Sequence, residues 1–362
     1  MQTKPRLCHV DLLKCLAIYF VLVFHGTLYP NYVAAGMPLS MVARYISRTI
    51  LSTCVPLFFF VSGYLMLSRP LNLKKHSLRT LKYAFVTCFW ILFLLWVLQP
   101  YYNEYHNWSE LRETIWNARD GWNNHLWYLG SLMGIYLIFP LLKTTFDAKR
   151  RSFYWFTAVM VFLVMGNNTF NLGVTLFNLL VKKEFFLYSN NLPVFIQFNP
   201  FAWDAALGIA YFCLGGTIHS LEERITAIPI RWRNPVCLAV IPGCCLVFGI
   251  MGWRFSLYLK ELWDTVWYGY NTVFTLVNVL CLYVLSLSWK RDVPLIRQIS
   301  SNTLGIYLLH DLVHKSIGPR VAQFAVMRTL PGTMLYAAAL LLITLGLCLI
   351  LRKIPLIKHL IS

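Results

Sequence analysis

The stretch from Asp11 to His25, DLLKCLAIYFVLVFH, is apolar enough to enter a membrane and yet contains an acid, a lysine and a histidine. Because an α-helix turns about 100° and rises about 1.5 Å per residue, Lys14 and His25 lie on one side of this helix, roughly 16 Å apart along its axis. Asp11 shares that side at i,i+3 from Lys14. Ionisable groups are costly in hydrocarbon and usually face a bundle interior or a watery cavity. The stretch therefore favours a functional helix inside a bundle over a simple membrane anchor.

A purely structural interpretation of the same stretch is also available. Asp11 and Lys14 would form a buried ion pair, and His25 would bond to a neighbouring helix. We favour a function, because ionisable groups within membrane helices are rare without a role, and this helix has three on one stripe.

The composition places this helix in a polytopic membrane protein. Of 362 residues, 58% are hydrophobic and 13% are charged, whereas soluble domains are about a quarter charged. The net charge of +18 does not indicate nucleic-acid binding, because no basic run has a readout motif and basic residues of membrane proteins gather in cytoplasmic loops. The cysteines form no CxxC pair, which argues against a disulfide framework or a thiolate metal site.

Apolar runs along the chain predict an all-α integral membrane protein, a bundle of about ten transmembrane helices. Basic residues are concentrated in the segments that this count leaves inside, which follows the positive-inside rule and places the N- and C-termini in the cytoplasm. No loop is long enough for a soluble domain, so we expect residues 1–362 to form a single transmembrane domain. The runs are approximately 10–29, 46–67, 80–99, 126–142, 153–169, 203–218, 235–253, 268–289, 299–317 and 333–351.

The second run contains PLFFFVSGYL, Pro56 to Leu65, and a cytoplasmic basic cluster follows it. The small pair Ser62-Gly63 permits close approach of another helix. The basic cluster has two interpretations: ordinary positive-inside charge, or a site for an anionic cofactor, because phosphates pair well with Arg and Lys. Its members are Arg69, Lys74, Lys75, His76, Arg79 and Lys82.

Three histidines, His25, His125 and His310, fall in the predicted outer half of the membrane on three different runs. Tyr307 shares a helix face with His310 at i,i+3. Trp127 lies at the outer interface, where aromatic residues are common. The arrival of three histidines from separate helices is the main reason to expect a site there.

Asp204, at the outer start of the sixth run, is a further candidate. A carboxylate at a helix N-terminus also interacts with the helix dipole without any function. The run His310-Asp311-x-x-His314 superficially resembles a zinc-binding helix. That motif needs Glu in the second position and a further ligand, so we predict no metal.

The spacing of Lys14 and His25, followed in order by PLFFFVSGYL (56–65), NHLWYL (124–129) and LGIYLLH (304–310), resembles the type-three membrane acyltransferase family. The resemblance covers essentially the whole chain. It is to the short members that have no appended soluble domain. It implies a bacterial membrane protein that O-acylates surface sugars or related acceptors.

The family usually has Arg at the position of Lys14. Its Arg-x-x-Arg signature corresponds here to His76-x-x-Arg79 or Arg79-x-x-Lys82. The resemblance implies an acyl-CoA donor, acetyl-CoA in particular, which agrees with the cytoplasmic basic cluster because coenzyme A is phosphorylated. We expect Lys75, His76, Arg79 and Lys82 to bind it.

The function expected from the resemblance is O-acyl transfer in the cell membrane, from cytoplasmic acyl-CoA to a hydroxyl of a cell-surface glycan or lipid-linked sugar. His25 would be the general base or a transient acyl carrier, because a neutral imidazole suits this chemistry at neutral pH. The remaining catalytic candidates are Asp11, Lys14 and His310. The acceptor-side candidates are His125, Trp127, Tyr307 and Asp204.

Two other functions fit the same polar helices. A transporter or exporter of a glycan, lipid or small acid would also place ionisable groups inside the membrane. A structural or sensory membrane partner would tolerate replacement of the histidines. The identity of the acceptor, acetyl against longer acyl groups, and the oligomeric state all stay open at the level of sequence.

Overall fold

The computed structural model describes residues 6–26, 40–94, 125–177, 181, 195, 198–201, 203–260, 263 and 269–361. This part of the chain is built of helices joined by short connections, and it contains no strand. A single 3-10 turn, Ala325–Arg328, precedes the last long helix. The α-helices are α1 (Cys8–His25), α2 (Ser40–Leu51), α3 (Cys54–Leu67), α4 (Leu73–Phe93), α5 (Trp127–Ala148), α6 (Arg150–Phe177), α7 (Trp203–Ala227), α8 (Ile230–Leu259), α9 (Val273–Ser286), α10 (Pro294–Ser301), α11 (Thr303–Val321), α12 (Leu330–Leu351) and α13 (Pro355–Leu360).

The predicted all-helical architecture is confirmed, and much of it is apolar enough for a membrane. Each predicted apolar run contains one or two of these helices. The described residues include six stretches that could cross a bilayer by length and composition. They are Cys8–His25, Val42–Leu67, Trp127–Ala148, Arg150–Phe177, Ile230–Leu257 and Leu330–Leu351.

Several helices extend beyond the predicted runs, and for two of them the reason can be identified. α4 begins at Leu73 because the Asn72 side chain accepts a hydrogen bond from the backbone N–H of Lys75 and caps the helix. α6 continues to Phe177 past its asparagines. The Asn168 amide donates to Asn271 Oδ1 at 2.7 Å, so this buried amide does not compete with the helix backbone.

α3 and α7 approach each other very closely, and glycines make this approach possible. A Cβ atom at Gly63 would overlap the backbone carbonyl of Phe212, and one at Gly215 would overlap that of Phe60. Small residues allow helix backbones to approach in this way. The close approach predicted from Ser62-Gly63 is confirmed.

α1 packs in the middle of the bundle, with α3, α9, α11 and α12 around it, and its N-terminal end contacts α10. The Asp11 carboxylate forms an ion pair with Arg6 at 2.5 Å and accepts a hydrogen bond from the Ser300 hydroxyl at 2.5 Å. Lys14 Nζ donates to the Ser300 carbonyl at 3.3 Å. Asp11 therefore pairs with Arg6 rather than with Lys14. Through their bonds to Ser300, Asp11 and Lys14 fix the position of α1 against α10.

Candidate active site

A cavity of about 730 Å³ lies between α3, α4, α5 and α11. Apolar and aromatic side chains form much of its wall, together with a basic group, and none of the described residues that line it is acidic. Lys14 is half-buried, whereas the other basic side chains are exposed. The exposed basic side chains therefore place positive charge at the open end of the cavity, and Lys14 places positive charge further inside it. The basic residues of the cavity are Lys14, Arg69, Lys75, Arg79 and Lys82.

Three of the four predicted donor-binding residues line this cavity, and the fourth, His76, lies beside it. His76 Nε2 donates to the backbone carbonyl of Tyr136 at 2.8 Å, and its ring packs on Phe139 with 4.9 Å between centroids. The side chain therefore joins α4 to α5. It also lines a neighbouring pocket of about 160 Å³, to which Arg69 and Arg79 contribute as well.

The three predicted histidines come together from three helices. The ring centroids of His25 and His310 are 5.2 Å apart, and those of His125 and His310 are 5.6 Å apart. His310 is fully buried and His125 is nearly so. α1 supplies His25, the turn before α5 supplies His125, and α11 supplies His310. The fold thus forms the expected histidine cluster, with His310 at its centre.

His310 has a defined tautomer when it is neutral. Its Nδ1 lies 2.6 Å from the backbone carbonyl of Tyr307, and a carbonyl oxygen only accepts, so Nδ1 must bear the proton. Nε2 then has a free lone pair, and it is buried without a hydrogen-bond partner among the described residues. A buried imidazole with a free lone pair can accept a proton or orient a neighbouring imidazole.

Tyr307 lies between the cavity and the histidine cluster. It lines the cavity, and its ring centroid is 5.8 Å from that of His125 and 5.9 Å from that of His310. Its hydroxyl donates to the backbone carbonyl of His125. None of His25, His125 and His310 lines the cavity itself. The Tyr307 ring therefore borders both the basic cavity and the histidines.

The other predicted site residues have different surroundings. Asp11 lies at the inner end of α1, in the bonds to Arg6 and Ser300, which is the position of a structural or positioning residue. Trp127 packs beside Tyr270, with 6.0 Å between ring centroids. Asp204 belongs to α7, and its side chain lies outside the described residues.

Sequence reasoning left out Arg69 and Tyr128 as individual site residues. Arg69 lines both the cavity and the neighbouring pocket. Tyr128 lines the cavity and packs edge-on against Tyr307, with 5.7 Å between centroids. Tyr128 follows Trp127 in NHLWYL, where an interfacial aromatic belt explained the pair. Only the packing of α5 against α3 and α11 shows that Tyr128 lines the cavity and that its neighbour Trp127 does not.

A family model described as an acyltransferase domain matches residues 9–353. Neither the curated proteins nor the solved structures include a match to this chain. The matched region includes the basic cavity and all three histidines.

Proposed function

The chain belongs to the acyltransferase 3 family and is a membrane acyltransferase, and from this premise we propose the direction and substrates of the transfer. The donor is a cytoplasmic acyl-CoA, acetyl-CoA in particular. The acceptor is a hydroxyl of a cell-surface glycan or lipid-linked sugar at the outer side of the membrane. The protein is a multi-pass protein of the cell membrane.

The observation that supports this proposal most strongly is the basic cavity, whose described lining residues do not include the histidines. Five basic side chains and no described acid line a space of about 730 Å³, which suits a ligand with several phosphates and a long uncharged arm. Arg79 and Lys82 would pair with the phosphates of coenzyme A. Lys14 would contact the donor further in. The acyl-pantetheine arm would extend towards Tyr307, whose ring adjoins the histidine cluster.

The histidines supply the chemistry that acyl transfer needs. In direct transfer, the acceptor hydroxyl attacks the thioester carbonyl, a C–O bond forms and the C–S bond breaks. His25 takes the hydroxyl proton and returns it to the departing thiolate. In a two-step route, a His25 ring nitrogen first attacks the thioester carbonyl, a C–N bond forms, the C–S bond breaks and the departing thiolate takes the imidazole proton. The acceptor hydroxyl then attacks the acyl-imidazole, a C–O bond forms, the C–N bond breaks and the hydroxyl proton returns to the imidazole. His310, with its free Nε2 beside His25, would orient His25 in either route.

The proposed topology has ten spans with both termini in the cytoplasm. The six candidate spans and the further helices α4, α7, α9 and α11 together match this number. In this topology the basic cavity opens to the cytoplasm, where acyl-CoA is available. The histidines lie in the outer half of the membrane, where the acceptor would bind.

Replacement of His25 by Ala tests the assignment. Membranes with the variant or the wild type are incubated with labelled acetyl-CoA, and the glycan and lipid fractions are analysed by mass. Loss of a general base typically slows a reaction by about 10²–10⁴-fold, so we expect labelling to fall by that order.

His359→Ala is the matched control, because His359 is exposed on α13, and it should keep wild-type labelling. A stably inserted His25→Ala variant with wild-type labelling would refute the role of His25. Glycan or lipid flux without any acyl donor would favour the transporter function instead.

A further inference from the structure

Among the described residues, those that line the donor cavity do not include any of the three histidines. Tyr307 lines the cavity and packs against the histidine rings, and Tyr128 lines the cavity beside it. The two tyrosines are 5% and 8% exposed. An acyl group at the end of the cavity would meet the Tyr307 ring before it met any imidazole.

Several contacts hold the Tyr307 ring in this place. Its hydroxyl donates to the backbone carbonyl of His125, and Tyr128 packs against it edge-on at 5.7 Å between centroids. The backbone carbonyl of Tyr307 accepts from His310 Nδ1 at 2.6 Å. The same residue therefore closes the cavity and positions one of the histidines.

We propose that Tyr307 is a gate between the donor cavity and the histidines, and that it determines whether the acyl group goes to the acceptor or to water. This inference rests on the proposed function. In the closed position the ring separates the thioester from the imidazoles. Rotation of the ring breaks its hydrogen bond to His125 and opens the passage. Because His125 is an acceptor-side candidate, an acceptor that displaces its backbone would also release the gate.

The reaction that the gate prevents is hydrolysis. If water replaces the acceptor hydroxyl, it attacks the thioester carbonyl, a C–O bond forms and the C–S bond breaks. A histidine takes a proton from the water and passes one to the thiolate. The products are acetate, the thiol of coenzyme A and one proton. Enzymes commonly suppress such side reactions by keeping the reactive group apart from water until the acceptor is in place.

The test measures hydrolysis in the absence of any acceptor. The full-length protein is purified in detergent and given acetyl-CoA, and both thiol release and equilibrium binding of acetyl-CoA are followed. For Tyr307→Ala, which removes the ring, we expect thiol release to rise about tenfold while binding stays near the wild-type value. For Tyr307→Phe, which keeps the ring but loses the hydroxyl, we expect a smaller rise.

Two further variants complete the experiment. Tyr154→Ala is the matched control, because Tyr154 is a half-buried tyrosine of α6 whose hydroxyl bonds to Ser220 at 2.8 Å. It is not among the described residues that line the cavity, so hydrolysis by this variant should stay at the wild-type rate. His25→Ala combined with Tyr307→Ala should abolish the increase, because the water then lacks its base.

The outcomes distinguish failure of the Tyr307 gate from failure of the proposed acyltransferase function. Acetyl-CoA binding with no rise in thiol release, in both Tyr307 variants, would overturn the gate and leave the transferase intact. An equal rise in Tyr154→Ala would also overturn it, because the loss of a tyrosine ring elsewhere in the bundle would then suffice. Failure of the wild type to bind acetyl-CoA would refute the proposed donor and the gate together.

Discussion

Arg79 contributes to two neighbouring pockets at the basic end of the bundle. Its side chain lines the cavity of about 730 Å³ and the neighbouring pocket of about 160 Å³. It is exposed, so water screens its charge in the empty protein, and its contribution to folding is small. Its contribution to a bound polyanion is larger, because a guanidinium pairs with phosphate through two parallel hydrogen bonds.

Replacement of Arg79 by Ala should therefore weaken donor binding without unfolding the protein. We expect KM for acetyl-CoA to rise about tenfold, the equivalent of one charge-assisted phosphate contact, with kcat much less affected. Arg79→Lys should recover part of the loss, because lysine retains the charge but not the planar fork.

Arg291→Ala is the control, since Arg291 is exposed on the connection between α9 and α10 and its removal changes the net charge equally. An equal increase of KM in the two alanine variants would show that overall charge, rather than this cavity, attracts the donor.

The histidine cluster shows how far residue-level prediction extends into the site. Topology alone selected His25, His125 and His310, because three ionisable groups at one depth of a helix bundle tend to meet. The tautomer of His310 was beyond prediction, since it depends on the backbone carbonyl of Tyr307 within the formed helix. The hydrogen bond between Ser300 and Asp11 was also beyond prediction, because Ser300 is distant in sequence and meets Asp11 only when α10 packs on α1.

α3 connects the basic cavity to the rest of the bundle. One face contributes Phe58, Ser62 and Leu65 to the cavity. Another packs on α7 through Gly63, and on that side the Tyr64 hydroxyl donates to the Glu222 carboxylate. Glu222 also accepts from the Tyr283 hydroxyl at 2.8 Å. The rear of α3 is thus bonded to α7 and, through Glu222, to α9, so the cavity wall has a rigid support.

Gly63→Ala should destabilise this support. A methyl group at Gly63 would overlap the Phe212 carbonyl, and backbone atoms cannot rotate away, so we expect a loss of about 1–3 kcal/mol, as for other overpacked cores. Thermal unfolding in detergent measures the loss as a lower Tm.

Gly346→Ala is the matched control. None of the described residues lies within 4 Å of a Cβ atom at Gly346, and alanine is the better helix former by about 0.5–1 kcal/mol. Its Tm should therefore be unchanged or slightly higher. If Gly63→Ala behaved in the same way, the close contact between α3 and α7 would not be needed for stability.

Prediction at the level of elements was better for helices than for their ends. Hydropathy identified the apolar runs because a membrane helix must satisfy its backbone internally and bury its side chains in lipid or protein. It did not identify the start of α4 at Leu73, which depends on the Asn72 cap. It did not identify the extension of α6 to Phe177, which depends on side-chain partners such as Asn271.

The whole molecule places its basic cavity and its histidines at different depths along α1. Lys14 lines the cavity, and His25 belongs to the histidine cluster. A rise of about 1.5 Å per residue separates them by roughly 16 Å along the axis, about half of a ~30 Å hydrocarbon core. The acyl group would therefore cross half of the membrane within the donor arm, and the acceptor could approach from the other side.

In the proposed reaction, the donor enters from the cytoplasm and the acyl group leaves at the outer face. Sealed vesicles of known orientation test this direction of transfer. Sealed inside-out vesicles from cells with the wild-type protein expose the cytoplasmic side, whereas sealed right-side-out vesicles expose the outer side. Labelled acetyl-CoA is added to each preparation, and the glycan and lipid-linked sugar fractions are analysed. We predict acylated sugar, enclosed within the lumen, in inside-out vesicles, and none in right-side-out vesicles until they are permeabilised. Equal labelling of sealed right-side-out vesicles, or labelled sugar on the exposed face of inside-out vesicles, would contradict transfer across the membrane.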